Sequence, residues 1–198
     1  MIFDLWQTLA DSSERPSDVF KRHISTMGVC SEEVFLQQLS RSEVYLRDVP
    51  IELSLRQFLS GLGITNGIVI DNVISHWKML ATGTYLFDGV AELLQSLKAR
   101  GHHLVLLTNS DKWGYEQSPI GSHLGVFDYR FLSYQQGYAK PDKRCWAIIQ
   151  EAVNFDYGEM LMVGDSARED IDPANALGIR TIRVGDGAND ISRLAAML

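Results

Sequence analysis

From Phe87 onward the chain alternates amphipathic stretches with short apolar runs, and this alternation constrains its fold more than any other feature. GVAELLQSLKARG (89–101) carries apolar residues at helical spacing and ends on glycine. HLVLLTNS (103–110) is a continuous apolar run stopped by polar residues. FDYRFLSY (127–134) reads as a further strand, DKRCWAIIQEAV (142–153) as a helix and EMLMVGDS (159–166) as a strand. DIDPANALG (170–178) and IRTIRV (179–184) add one more helix and one more strand. Strands joined by helices imply an α/β fold, a Rossmann-like parallel sheet with helices on both faces. Such sheets bind ligands at the carboxyl ends of their strands. Thr108 and Asp165 stand at two of those ends.

A third such end lies in the opening stretch MIFDLWQTLA, where residues 1–3 form the tail of a buried strand that Asp4 terminates. Three residues are fewer than the roughly 5–6 of a usual strand. Either the sheet tolerates a stunted first strand or the strand begins upstream of Met1. From Pro16 to about Tyr85 the pattern is helical, with four candidate helices. SDVFKRHISTMG has Ser17 as its N-cap and Gly28 as its stop, and SEEVFLQQLSRSEVYL has Ser31 as N-cap with acidic first-turn residues. LSLRQFLSGLG reads as a third helix and GIVIDNVISHWKML as a fourth, although the Ile/Val run of the last also suits a strand. The expected organisation is a core of residues 1–11 and 86–198 with an all-helical cap, residues 12–85, inserted after the first strand.

At 198 residues with 45% hydrophobic content the chain can bury one sizeable core plus a modest insertion. A net charge of −7 argues against general nucleic-acid binding, which needs a basic face. It does not exclude an anionic substrate, provided a metal and a lysine supply local positive charge. Cys30 and Cys145 are far apart and suggest neither a disulfide framework nor a zinc site, only two small buried hydrophobes in a reducing compartment. The N-terminus lacks the pattern of a secretory signal and no apolar run approaches membrane-spanning length, so a cytoplasmic location is expected.

The ordered set FDLWQT, LLTNS, AKPD and VGDSARED resembles the haloacid dehalogenase-like hydrolase superfamily, and is similar to its first subfamily, which carries a helical cap between the first two motifs. The resemblance implies that Asp4 is a nucleophile forming a covalent aspartyl intermediate, with Thr8 completing that motif. It implies that Thr108 and the backbone N–H of Asn109 hold a phosphoryl oxygen, and that Lys140 neutralises charge beside the nucleophile. Asp165 matches the family's magnesium-binding carboxylate, with Asp170 or Glu169 orienting it from behind. The implied Mg2+ ligands are Asp4, Asp165 and the main-chain carbonyl of Trp6. A second string, VGDGAND (184–190), imitates the last motif but follows the wrong strand, and reads as a turn leading into a helix, ISRLAAML.

Trp6 departs from the phosphatase pattern. The family's phosphatases usually place an aspartate there, which protonates the leaving oxygen and then activates water, worth roughly 10²–10⁴-fold. An indole N–H has no usable acidity. Three expectations follow. The first is phosphoryl transfer from a small phosphorylated molecule, easiest for a good leaving group such as an acyl phosphate. The second is dehalogenation, since the family's haloacid dehalogenases also carry an aromatic residue at this position. The third is a weakened protein that binds a phosphorylated ligand without turnover. Asp4, Asp165, Glu169 and Asp170 crowd acidic groups near one site, and without a cation they would repel an anionic substrate. That conflict favours the magnesium-dependent phosphatase. Trp77, Trp113 and Trp146 are expected to pack, with Trp113 the one close enough to Thr108 in sequence to reach the site. His102 and His103 read as exposed polar filler. Oligomeric state is not legible.

Overall fold

The computed structural model describes residues 1–185 and 194. Strand β1 (Ile2–Phe3) is as stunted as its sequence, and its backbone pairing continues one residue further, where the Asp4 N–H donates to the Val163 carbonyl at 2.9 Å. The chain then rises through β2 (Ala10–Ser12) into the helices α1 (Pro16–His23), α2 (Glu32–Leu39), α3 (Glu43–Leu46), α4 (Ile51–Gly61) and α5 (Gly67–Thr82). It returns along β3 (Thr84–Leu86), antiparallel to β2, with Ser12 opposite Thr84 and Ala10 opposite Leu86. The boundaries expected at residues 12 and 85 fall on this ribbon. Its strands, ADS and TYL, are too short to show a period in the sequence.

Several helix boundaries differ from expectation, and the first helix ends at His23, with a separate 3-10 turn, Ser25–Met27, before the expected stop at Gly28. Helix α1 starts at Pro16, not after Ser17, because proline suits the first helical position and Asp18 accepts from the Arg15 N–H at 2.8 Å. The single helix expected over 31–46 is two. Ser42 Oγ donates to the Leu39 carbonyl and accepts from the Val44 N–H, so its side chain competes with the helical ladder and restarts it as α3. Ser31 caps α2 as expected. The ambiguous Ile/Val run is helical: Asn66 caps it twice, and Ile70, Val73, Ile74 and Trp77 are buried at the i, i+3, i+4, i+7 spacing. The five helices enclose their own core around Val19, Phe35, Leu55, Leu59 and Trp77.

Beyond the ribbon come α6 (Val90–Ala99), β4 (Val105–Thr108), α7 (Lys112–Glu116), β5 (Tyr129–Leu132) and α8 (Ser133–Gln136). They are followed by α9 (Arg144–Val153), β6 (Leu161–Gly164), α10 (Asp172–Ala176) and β7 (Arg180–Arg183). Strands β5-β4-β1-β6-β7 form one parallel sheet in that order. Alternate residues face opposite layers. Phe3, Leu106 and Val163 pack with Val90, Leu94 and Leu97 of α6 on one side. Ile2, Val105, Leu107 and Met162 pack with Cys145, Trp146 and Ile149 of α9 on the other. Cys30 and Cys145 are free thiols. Residues 186–190 of the imitative string and the helix expected over 191–198, apart from Leu194, lie outside the described residues. Among the described residues no helix is long and apolar enough to cross a membrane.

Candidate active site

Because β1 is central and Phe3 pairs with both Leu106 and Val163, Asp4 leaves the sheet between the ends of β4 and β6. Thr108 is the last residue of β4, and Asp165 is the first after β6. The chain after Asp4 turns back sharply. Leu9 and Ala10 N–H groups both donate to the Leu5 carbonyl, and Gln7 takes a positive φ of 62° to allow it. This turn sets Thr8 Oγ1 to donate to Asp4 Oδ2 at 3.0 Å.

Lys140 is the other organising group. It is 4% exposed, and its ammonium donates to Asp4 Oδ1 and to Asp170 Oδ1, each at 2.6 Å. Asn109 fixes its backbone from both sides, accepting from the Lys140 N–H at 2.9 Å and donating to its carbonyl at 3.0 Å. The same Asn109 amide donates to Glu169 Oε2 at 3.1 Å. Sequence reasoning assigned Asn109 a role through its backbone alone. The side-chain clamp joins loops 31 residues apart, and no local spacing signals it.

Asp170 is held by the Ser166 N–H at 3.0 Å as well as by Lys140. A turn of π-helix, Ala167–Ile171, delivers it over Gly164. A Cβ at residue 164 would lie 2.5 Å from the Asp170 carboxyl carbon, so the glycine of VGDS is what lets Asp170 come this close. The result is a compact acidic triad. Asp4, Asp165 and Asp170 each offer a carboxylate oxygen within 4.8 Å of the others. Of the two residues expected behind Asp165, Asp170 joins the triad while Glu169 turns to Asn109.

Three carboxylates share one lysine, and burial makes the imbalance severe. Burial pushes the Asp4 carboxyl up to about 7, with Lys140 opposing and Asp170 and Asp165 adding to the rise. Asp165 and Glu169 are also raised, burial first and Asp170 contributing to each. Burial works against the Lys140 ammonium, but Asp4 and Asp170 outweigh it and hold its pKa above the ordinary value. Thr108 Oγ1 is buried with no hydrogen-bond partner among the described residues. An oxygen-only donor set with surplus negative charge fits a hard divalent cation such as Mg2+.

Above the triad, between the sheet edge and the helices, is a cavity of about 430 Å3. Asp4, Trp6, Asn109, Lys140, Asp165, Glu169 and Asp170 all contribute to its walls. Thr108 lines a small neighbouring void rather than the cavity itself. Asp111 and Tyr45, which sequence reasoning missed, face the cavity together with Trp77. Asp111 caps α7 through Gly114 N–H at 2.8 Å and accepts from Trp77 Nε1 at 3.4 Å, linking the loop after β4 to α5. Trp113 packs instead on the helical core, its Nε1 donating to the Lys78 carbonyl and its ring lying 4.6 Å beneath the Lys78 ammonium.

A parallel sheet whose central strand ends in a buried aspartate, paired with a lysine and two further carboxylates from neighbouring loops, is the arrangement of one hydrolase class. The family model for haloacid dehalogenase-like hydrolases matches residues 1–178, and the chain belongs to that family. Solved structures agree on the fold. A wild-type family enzyme of Bacteroides thetaiotaomicron, in complex with magnesium and inorganic phosphate, is 18% identical at a TM-score of 0.65, over 94% of this chain and 93% of that one. A family phosphatase of Thermococcus onnurineus is 15% identical at 0.61, over 98% and 95%. A 2-haloacid dehalogenase of Pseudomonas syringae pv. tomato is 20% identical at 0.58, over 92% and 84%.

Proposed function

We propose that this hydrolase is a magnesium-dependent phosphatase acting on a small phosphorylated molecule through an aspartyl phosphate at Asp4. The observation that carries this reading is the triad itself. Three carboxylates of Asp4, Asp165 and Asp170 converge within 4.8 Å against a single buried lysine, a burden that a bound cation would relieve. Asp4 and Asp165 would hold Mg2+ with the Trp6 main-chain carbonyl, and Asp170 and Glu169 would support them. Bound there, the ion neutralises charge and polarises the phosphoryl oxygens.

The chain's own groups do the rest. An Asp4 carboxylate oxygen forms the bond to phosphorus as the bond to the leaving oxygen breaks. Lys140 keeps the nucleophile ionised and in place, and the Asn109 N–H receives a phosphoryl oxygen. Water then attacks phosphorus, releasing phosphate and restoring the Asp4 carboxylate. The helices of residues 12–85 act as a cap that excludes bulk water and selects the substrate. Trp6 cannot protonate the leaving oxygen, so alkyl phosphates turn over slowly.

The test is hydrolysis of an acyl and an aryl phosphate with Mg2+ and with chelator, by the wild type and by Asp4→Asn. Turnover that needs Mg2+ and vanishes with the substitution is expected. A second reading, metal-independent 2-haloacid dehalogenation, is favoured by the aromatic Trp6 and by the Pseudomonas syringae neighbour. Halide release from 2-haloacids in chelator, with no phosphate release under any condition, would replace the first reading with the second. Tight phosphate-analogue binding without either reaction would mark a binding protein.

A further inference from the structure

The part of the cavity wall contributed by the helices bears on the leaving group. It is built by Leu36 and Leu39 of α2, Tyr45 of α3, and Trp77, Leu80 and Ala81 of α5. The indole of Trp6, which also packs on the sheet core, adds another apolar surface. Charged residues do reach this part of the cavity, but each already has a partner within the protein. Arg15 pairs with Asp11 and also donates to Gln7 Oε1. Glu14 accepts from Arg22 at 2.6 Å and faces His76 Nε2 at 2.8 Å. Asp111 is spent on Gly114 N–H and Trp77 Nε1.

The hydroxyls on the wall are turned inward in the same way. Ser12 Oγ donates to the Leu80 carbonyl, and Ser40 Oγ to the Gln37 carbonyl. Thr84 Oγ1 donates to the Ala81 carbonyl and shares a 2.5 Å contact with Ser118. A polar, many-hydroxyl leaving group would find most of these groups already bonded within the protein, with the Tyr45 hydroxyl and the Gln7 amide among the few left to replace its water. Losing water without full replacement is costly. An apolar one of ring size would fill the space at little such cost.

Trp6 imposes a second, independent requirement. With an indole where a proton donor would stand, the leaving oxygen departs as an anion. Its conjugate acid must therefore already be acidic. From these two constraints, and resting on the phosphatase reading above, we infer that the substrate is a phosphate of an apolar, acidic hydroxyl, an aryl or aromatic acyl phosphate. In the first step the Asp4–phosphorus bond forms and the phosphorus–oxygen bond breaks. The electron pair leaves with a phenolate or carboxylate, and the protein gives up no proton.

The experiment compares kcat/KM for benzoyl phosphate, acetyl phosphate, phenyl phosphate and glycerol phosphate with Mg2+. Benzoyl phosphate is expected to exceed acetyl phosphate by about tenfold or more, the scale of discrimination an apolar pocket achieves. Phenyl phosphate is expected to exceed glycerol phosphate. Binding is read separately by tryptophan fluorescence with phenylphosphonate and methylphosphonate, neither of which is hydrolysed. Phenylphosphonate should bind about tenfold more tightly, and Leu36→Glu should erase that preference. A larger response to benzoyl than to phenyl phosphate identifies the acyl source, and the converse the aryl source. Equal turnover of benzoyl and acetyl phosphates, with equal phosphonate affinities, overturns the inference but leaves the phosphatase standing. No turnover of any of the four overturns both.

Discussion

Asp4 concentrates the chemistry and the cost of this protein in one side chain. In water it would ionise near the ordinary carboxylate value, but in the fold burial lifts it to about 7. A carboxyl raised in the folded state keeps its proton after the unfolded chain has lost it. Without metal, stability therefore falls as pH rises from about 4 through 7, by up to about 4 kcal/mol, and then levels. Asp4→Asn should abolish most of this decline, so that in chelator at pH 8 the variant melts above the wild type, with the gap closing toward pH 4. Identical pH profiles for the two proteins by urea denaturation would refute the assignment of strain to Asp4. The positions of Asp4, Thr108 and Asp165 were legible in the sequence because each ends a strand or opens a loop at the sheet's carboxyl edge, and that of Lys140 through the string AKPD. The Asn109 clamp and the Gly164 cradle were not, because both depend on how closely two distant loops approach.

At the scale of elements, strands β4 to β7 and the α6 and α9 helices were legible because apolar period and length agreed in each. The break between α2 and α3 was hidden because a mid-pattern serine is read against the weight of its apolar neighbours. Its consequence is functional placement, since the break turns α3 against α8, and Tyr45 faces the cavity from there. Ser42→Ala removes the cap of α3 and should cost about 1 kcal/mol in urea unfolding. It should also weaken phenylphosphonate binding more than methylphosphonate binding, because Tyr45 lies on the apolar wall and not at the triad. A loss of stability with both phosphonates unaffected would show α3 to be structural only. The β2–β3 ribbon escaped the sequence for a different reason: three-residue strands carry too few alternations to register.

In the whole molecule, titratable groups beside the helical core and beside the sheet cores are shifted in opposite senses with respect to acid. The sheet carries Asp4, Asp165 and Glu169, all raised by burial, and against them the Met1 ammonium, which burial lowers to about 6, so in chelator the sheet gains stability as pH falls below about 6. The helices carry His23 and the buried His76, whose ring nitrogens lie 3.1 Å apart, with Arg22 at 3.4 Å and Glu14 at 2.8 Å from His76. The two rings can share this hydrogen bond only while no more than one of the facing nitrogens carries hydrogen. His23 is accordingly lowered, by burial first and then by His76 and Arg22. A lowered histidine binds protons less readily folded than unfolded, so the helical body loses stability as pH falls below about 6.5. The helical core shares none of its buried members with the sheet cores, and the ribbon, the Trp77–Asp111 bond and the Lys112–Asp48 pair link the two bodies. Calorimetry in chelator from about pH 6 to about 4.5 should resolve two transitions moving apart, the helical one downward and the sheet one upward. His23→Gln should flatten the lower transition's pH response without moving the upper one. A single transition passing through a maximum would mean that these links make the two bodies unfold as one.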